Sequence, residues 1–246
     1  MKLVSTVVRV SLCLALCWVL QVGSHARAEV LIEDFNDNYL DPTLWRAYVY
    51  GSGPQLSETN QQLRIEIPGT SSGGDFGVKL ASNFLLRGDF DVQVDFLLLN
   101  WPFGNGVRMA LGIDREGLLP HPGVERISFG QNDYPGWPRE VYLTDFSDGV
   151  HGITATEHLT GTLRLVRSGS VQTGYYYSAG SWVVIHTGPA PTEDVAVKVA
   201  AFSAYQFMGW DVVAAFDNLV VNSGELMWPP TPVRGVTWGA AKALYR

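Results

Sequence analysis

Gly88–Trp101 reads GDFDVQVDFLLLNW. Phe90, Val92, Val94 and Phe96 alternate strictly with Asp89, Asp91, Gln93 and Asp95. A period of two puts the apolar residues on one face of a β-strand and the polar, acidic ones on the other. Leu97, Leu98 and Leu99 then run on without alternation, the pattern of a strand buried on both faces. An apolar face this long needs neighbouring strands and an opposing layer, so the stretch predicts the middle of a β-sandwich.

The flanking sequence carries the same message in shorter pieces. On the N-terminal side, Leu31–Asn38 (LIEDFNDN) is a short strand entering a turn. Asp41-Pro42 is a tight turn, with Trp45 as an apolar anchor. Val49–Pro54 and Gly69–Gly74 are glycine-rich and predict loops, while Leu63, Ile65 and Ile67 alternate with Gln62, Arg64 and Glu66 as a strand. On the C-terminal side, strands are expected over Val107–Ile113, Ile127–Phe129, Val141–Phe146, Val195–Phe202 and Val212–Val221. Gln172–Tyr177 and Trp182–His186 predict a hairpin over Ser178-Ala179-Gly180-Ser181. Gln131–Arg139 (QNDYPGWPR) is an aromatic loop with two prolines. Many short strands between turn residues, with no useful helix-period segment before the tail, predict an all-β, two-sheet antiparallel sandwich or jelly roll.

The N-terminus predicts export. Lys2 and Arg9 precede a short apolar run over Val10–Val22, and Ala26-Arg27-Ala28 fits a small-residue cleavage site. The run is shorter than the roughly 20 residues that span a bilayer. Residues 1–28 are therefore expected to be a signal peptide, and the chain to be secreted, periplasmic or at the cell surface. Both cysteines, Cys13 and Cys17, lie in this leader, so the mature chain has neither a disulfide nor a thiolate metal site. Without Lys2, Arg9 and Arg27 it keeps 14 basic residues against 24 acidic ones, a net charge of −10. That balance argues against nucleic acid and anionic membrane as partners.

One sandwich domain is expected over residues 29–226, followed by a proline-rich linker and short C-terminal segment over 227–246. Within the latter, Thr237–Arg246 (TWGAAKALYR) has the residues of a short helix. Its Trp238, Leu244 and Tyr245 predict a partner, such as one at the cell surface, or a docking groove.

Four segments, in order, resemble the concanavalin A-like lectin/glucanase superfamily: EDFNDNYLDPTLW, GDFDVQVDF, GTLRLVRSGSVQTGYYYSAGSWVVI and AAFDNLVVNSG. The resemblance covers Leu31 to Gly224 and implies two antiparallel sheets, with any sugar site on the concave face. It also implies a structural calcium ion, with Asp217 as the last-strand ligand and Asp34 or its neighbours supplying the first-strand one. Hard oxygen donors suit that ion.

The laminarinase-type strand of the superfamily, Glu-x-Asp-x-(x)-Glu, is absent. Asp89, Asp91 and Asp95 share a face but are interrupted by Gln93. Glu140 and Asp145 fall on opposite faces of their strand. No Gly-x-Ser-x-Gly elbow or His-Glu-x-x-His motif occurs. Aromatic rings beside Asn, Asp and Arg are the groups that stack on a pyranose and bond its hydroxyls. Trp101, Tyr134, Trp137, Tyr205 and Trp210 are the candidate stacking residues. Arg108, Tyr142 and Asp145 are the candidate polar contacts, while Trp45 and Trp182 are expected in the core. The expected partner is a polysaccharide or other glycan, bound by a non-catalytic carbohydrate-binding or adhesion module. A glycoside hydrolase with an unfamiliar carboxylate pair and a structural cell-envelope protein remain alternatives.

Overall fold

A computed structural model describes residues 31–114, 123–146, 150–203 and 206–228. The expected signal peptide, Tyr205, and the segment from residue 229 onward lie outside the described residues. The strands in chain order are β1 (Leu31–Glu33), β2 (Trp45–Ser52), β3 (Gln55–Thr59), β4 (Gln62–Ile67), β5 (Ser72–Ser82), β6 (Leu85–Asn100), β7 (Val107–Asp114) and β8 (Gly123–Ser128). They continue with β9 (Glu140–Asp145), β10 (His151–Ala155), β11 (Thr160–Ser168), β12 (Val171–Ser178), β13 (Ser181–Pro189), β14 (Ala196–Ser203) and β15 (Val212–Met227). They form two antiparallel sheets. One runs β13-β12-β11-β6-β15-β4-β3 with β1 also on β15, and the other runs β10-β9-β8-β7-β14-β5-β2.

The strand predicted from its alternation is β6, a central strand of the eight-stranded sheet, paired with β11 on one side and β15 on the other. Phe90, Val92, Val94 and Phe96 are buried, and Asp91 and Gln93 lie on the opposite, outer face. The alternation persists further than expected. Leu98 is buried but Leu99 is exposed, so the three leucines are not buried on both faces.

The outer acidic row is bonded across the sheet. Arg164 makes two bonds to Asp91, at 2.8 and 2.5 Å; Thr162 donates to Asp95 at 2.6 Å; and the backbone N–H of Gly169 donates to Asp89 at 2.6 Å. The opposing sheet closes the core with Val107, Met109, Leu111, Val124, Tyr142, Val197 and Val199.

The β12–β13 hairpin is fixed by its turn and by one close approach to the other sheet. Ala179 and Gly180 both have positive φ, as a two-residue type I′ hairpin turn requires, and this fixes the register of β12 on β13. On the inner side of β12, a side chain at Gly174 would meet Thr144 Cγ2 at 2.3 Å and Val124 Cγ2 at 2.7 Å. The missing Cβ lets this hairpin press against β8 and β9.

Three local expectations are corrected. Val49–Ser52 belongs to β2, because backbone pairing to β5 overrides its glycines. Ser72–Gly74 likewise opens β5. Trp182 is not in the core: it stands opposite Tyr177 on the outer face of the hairpin, since the I′ turn sets the parity of β13. Trp228, at the head of the proline-rich segment, packs on Phe84 with ring centroids 5.5 Å apart.

Val94 should be the sharpest probe of this core. Val94→Ala removes two fully buried methyl groups from the central strand and should cost about 2 kcal/mol in urea unfolding at unchanged m-value. A change below about 0.5 kcal/mol would contradict the packing described.

Candidate functional site

The open cavity lies at one end of the sandwich and has a volume of about 790 Å³. The turn after β6 supplies Trp101 and Phe103, and the connection from β10 to β11 supplies Thr156, Glu157, His158 and Leu159. Arg126 of β8, Glu140 of β9 and Tyr176 of β12 form its deeper wall.

That wall is built from a buried ion pair. Arg126 Nη1 lies 2.7 Å from Glu140 Oε2, and both side chains are almost inaccessible. The indole N–H of Trp101 donates to the same oxygen at 3.1 Å. Glu140 Oε1 accepts from the Gly104 backbone N–H at 3.1 Å and from the Ser128 hydroxyl. Arg126 donates further to the carbonyls of Ile127 and His158, at 2.8 and 3.2 Å. A buried pair holds only when its remaining hydrogen bonds are made, and here they are. The outcome is mechanical: the Trp101 ring is pinned, with the Arg126 guanidinium 5.8 Å from its centre.

Tyr142 lies beneath. It stacks on Tyr176 at 4.3 Å and its hydroxyl bonds His158 Nδ1 at 3.1 Å. Burial pushes its phenol up to about 12, with a bond to Thr156 and the charge of Arg126 opposing, so it stays neutral. Phe103, in contrast, is 65% exposed at the mouth, where the Arg139 guanidinium lies 5.8 Å from its ring.

Of the residues singled out from sequence, the structure brings Trp101 and Tyr142 together here. Tyr134 and Trp137 instead stack on each other at 4.7 Å and both pack on Phe129, on the outer face of the seven-stranded sheet. Trp210 is exposed in the loop before β15. That region meets the Gln131–Arg139 loop through Gln206, whose side chain accepts from the Asn132 N–H and whose own N–H donates to Asp133.

Arg108 and Asp145 lie on the outer face of the seven-stranded sheet, and there they flank a residue that sequence reasoning missed. Glu125 sits one position after Val124, which points into the core, so it points outward. It is fully buried, with Oε2 3.1 Å from Arg108 Nη2. Burial raises its carboxyl to about 7; Arg108 opposes the rise and Asp145 adds to it. The signal was present in GVERISF, where Glu125, Ile127 and Phe129 share one parity. It was masked because β8 is buried on both faces.

Asp217 and Asp34 meet at the β1–β15 border. The Asp217 carboxyl is raised, by desolvation first and then by the charges of Asp95 and Asp34, while the Asn218 N–H opposes. Among the described residues no group of three His, Cys, Asp or Glu side chains converges. The donor chemistry fits a hard cation in kind, but one held here would draw most of its roughly six to eight ligands from backbone carbonyls and water.

No family model matches the sequence, and no curated protein matches it. Solved structures do resemble the fold. A prokaryotic β-1,3-1,4-glucanase (lichenase) derived from a mouse hindgut metagenome superposes with a TM-score of 0.57 at 11% identity, over 79% of this chain and 99% of that one. A β-1,3-glucanase from Mycobacterium marinum gives 0.55 at 12% identity, over 78% and 97%. The exoplasmic/lumenal domain of VIP36, in a Ca2+/Man-bound form, gives 0.55 at 11% identity, over 80% and 91%. Two glucanases and the Ca2+/Man-bound VIP36 domain thus share one architecture with this chain, which has the concanavalin A-like jelly-roll sandwich fold.

Proposed function

We propose that this chain is an exported carbohydrate-binding sandwich and that the cavity at the end of the sandwich takes the sugar. One observation carries this reading: Trp101, Phe103 and Tyr176 wall an open cavity whose polar groups are held in place by the Arg126–Glu140 pair. Aromatic rings cover the C–H faces of a pyranose, while Thr156, Glu157, His158 and Arg139 offer hydroxyl partners at the mouth. Glu140 has both oxygens engaged, so it positions Trp101 and is not available as an acid or base. The glycan-acting and mannose-bound proteins that share the fold support the substrate class, but not a particular sugar.

Phe103→Ala should weaken binding of β-1,3-1,4-glucan by about tenfold, the loss of one stacking contact. Because Phe103 is exposed, the melting temperature should stay within about 1 °C. Affinity electrophoresis and a thermal melt measure the two, and unchanged affinity would overturn the cavity as the site.

Glu125 favours a second reading, glycoside hydrolysis. A carboxyl shifted toward neutrality is matched to general acid work, and Asp145 lies on the neighbouring strand of the same face. The shift has a measurable sign. The folded state holds the proton more tightly than the unfolded one, so this contribution to stability is present below about pH 4.5 and is lost as pH rises through about 7. Glu125→Gln should flatten that slope, because the group that holds the proton is gone. Urea melts across pH 4 to 8 measure it, and an unchanged slope would remove Glu125 as its source. Release of reducing ends from β-1,3-1,4-glucan by the wild type but not by Glu125→Gln would make the enzyme reading the correct one.

Calcium at Asp217 and Asp34 is part of the same proposal. Millimolar calcium should raise the melting temperature by stabilising only the native state, and Asp217→Asn should abolish the rise. Identical melts in calcium and in chelator would exclude the ion.

A further inference from the structure

The outer face of the β12–β13 hairpin is used by none of the sites above. Parity places Tyr175 and Tyr177 of β12 there, while Tyr176 and Ser178 of the same strand turn the other way and line the end cavity. Across the register, Trp182 stands opposite Tyr177 and Val184 opposite Tyr175. Tyr177 and Trp182 meet edge to face at 5.1 Å. Neighbouring strands lie about 4.8 Å apart and same-face residues about 7 Å apart along a strand, so these side chains form a nearly flat patch. Tyr177 and Val184 are the open part of it, 43% and 52% exposed.

This patch is rigid before anything binds. The Arg164 guanidinium lies 5.0 Å from the Trp182 ring centre and 5.5 Å from that of Tyr175, and it is locked by its two bonds to Asp91. The cation therefore holds both rings upright, and little side-chain freedom remains to be lost on binding.

We propose that this face is a second carbohydrate-binding surface, which takes the flat C–H face of a neutral polysaccharide chain on Tyr177 and its neighbours. Charge argues against an anionic ligand, because Arg164 is matched by Asp91 and the remaining charges of the outer row, Asp89 and Asp95, are negative and would repel a uronate or sulfate. The polar groups beside the rings argue for hydroxyl partners. Asn222 bonds Asp91 at 3.2 Å and Gln93 at 3.0 Å, Thr162 bonds Asp95, and Thr173 bonds Thr187 at 3.1 Å. Each amide, hydroxyl and carboxylate keeps spare donor or acceptor capacity at the surface. The two sites then lie on opposite faces of one strand, and a polymer engaging both gains avidity without new contacts.

The test separates this surface from the cavity. Full-length protein is sedimented with insoluble β-1,3-glucan and run in affinity gels containing β-1,3-1,4-glucan. Tyr177→Ala should lose about tenfold in binding to the insoluble polymer, while Tyr177→Phe retains it and Phe103→Ala keeps the Tyr177-dependent share. Wild-type binding by Tyr177→Ala overturns the proposal even if Phe103→Ala fails to bind, and failure of the wild type on both polysaccharides overturns it as well. A dimer in sedimentation velocity that Tyr177→Ala converts to monomer would assign the face to a second copy of the chain, and would also overturn it.

Discussion

The pairing of the two sixteen-residue strands, β6 and β15, is the constraint on which the rest of the sandwich depends. With β11 completing the other side of β6, it sets which side chains face the core over the full length of the molecule. Once Phe90, Val92, Val94 and Phe96 point inward, Asp91, Gln93 and Asp95 must point out. A slip of one residue would bury three polar groups and expose four apolar ones. The outer row is then available for cross-strand bonds to Thr162, Arg164, Asn218 and Asn222. β15 tolerates several register shifts along this pairing, and its own Asp217 and Asn218 lie at one of them. The acidic border near Asp34 is thus a by-product of the same pairing.

How legible each part was in the sequence follows from whether one face of a strand meets water. β6, β4 and β11 have a wet face, and their alternation gave strand, parity and core residues together. The hairpin over Ala179-Gly180 was legible because its turn chemistry is local. β8, β9 and β14 are buried on both faces, so alternation of burial disappears and only the chemical type of each residue remains. Glu125 and Arg126 are adjacent, opposite in charge and both buried, a pattern that in isolation resembles a polar loop. The structure sends them to opposite faces, each with its own partner, Arg108 or Glu140. Partners separated by 17 and 14 residues in sequence cannot be matched by spacing alone. Trp182 failed for a related reason: a tryptophan's size favours the core, but the parity of an edge strand is decided by its turn.

The two buried ion pairs of the seven-stranded sheet differ in a way that bears on function. Around Glu140, every strong acceptor position is used by Trp101, Gly104, Ser128 and Arg126. Those bonds hold the carboxylate and the groups around it in one arrangement. Around Glu125, beyond the Arg108 pair, neither oxygen receives a hydrogen bond from any described residue. Burial then prevails, and the proton is retained to about neutral pH. The first arrangement is suited to fixing a neighbouring ring, the second to giving up or taking a proton.

This contrast also orders the functional readings. A sugar-binding cavity needs rings that do not move, and the Arg126–Glu140 pair supplies that for Trp101. A glycosidic bond needs a proton donor beside a second carboxyl group, which Glu125 and Asp145 approximate on the other face of the same sheet. A cavity at one end and a charged pair on an outer face are not one site, because the sheet itself lies between them. The proposed binding at Trp101 and the proposed proton transfer at Glu125 therefore make independent demands on the chain. Loss of one under mutation carries no implication for the other, and the sandwich can support the first without ever having used the second.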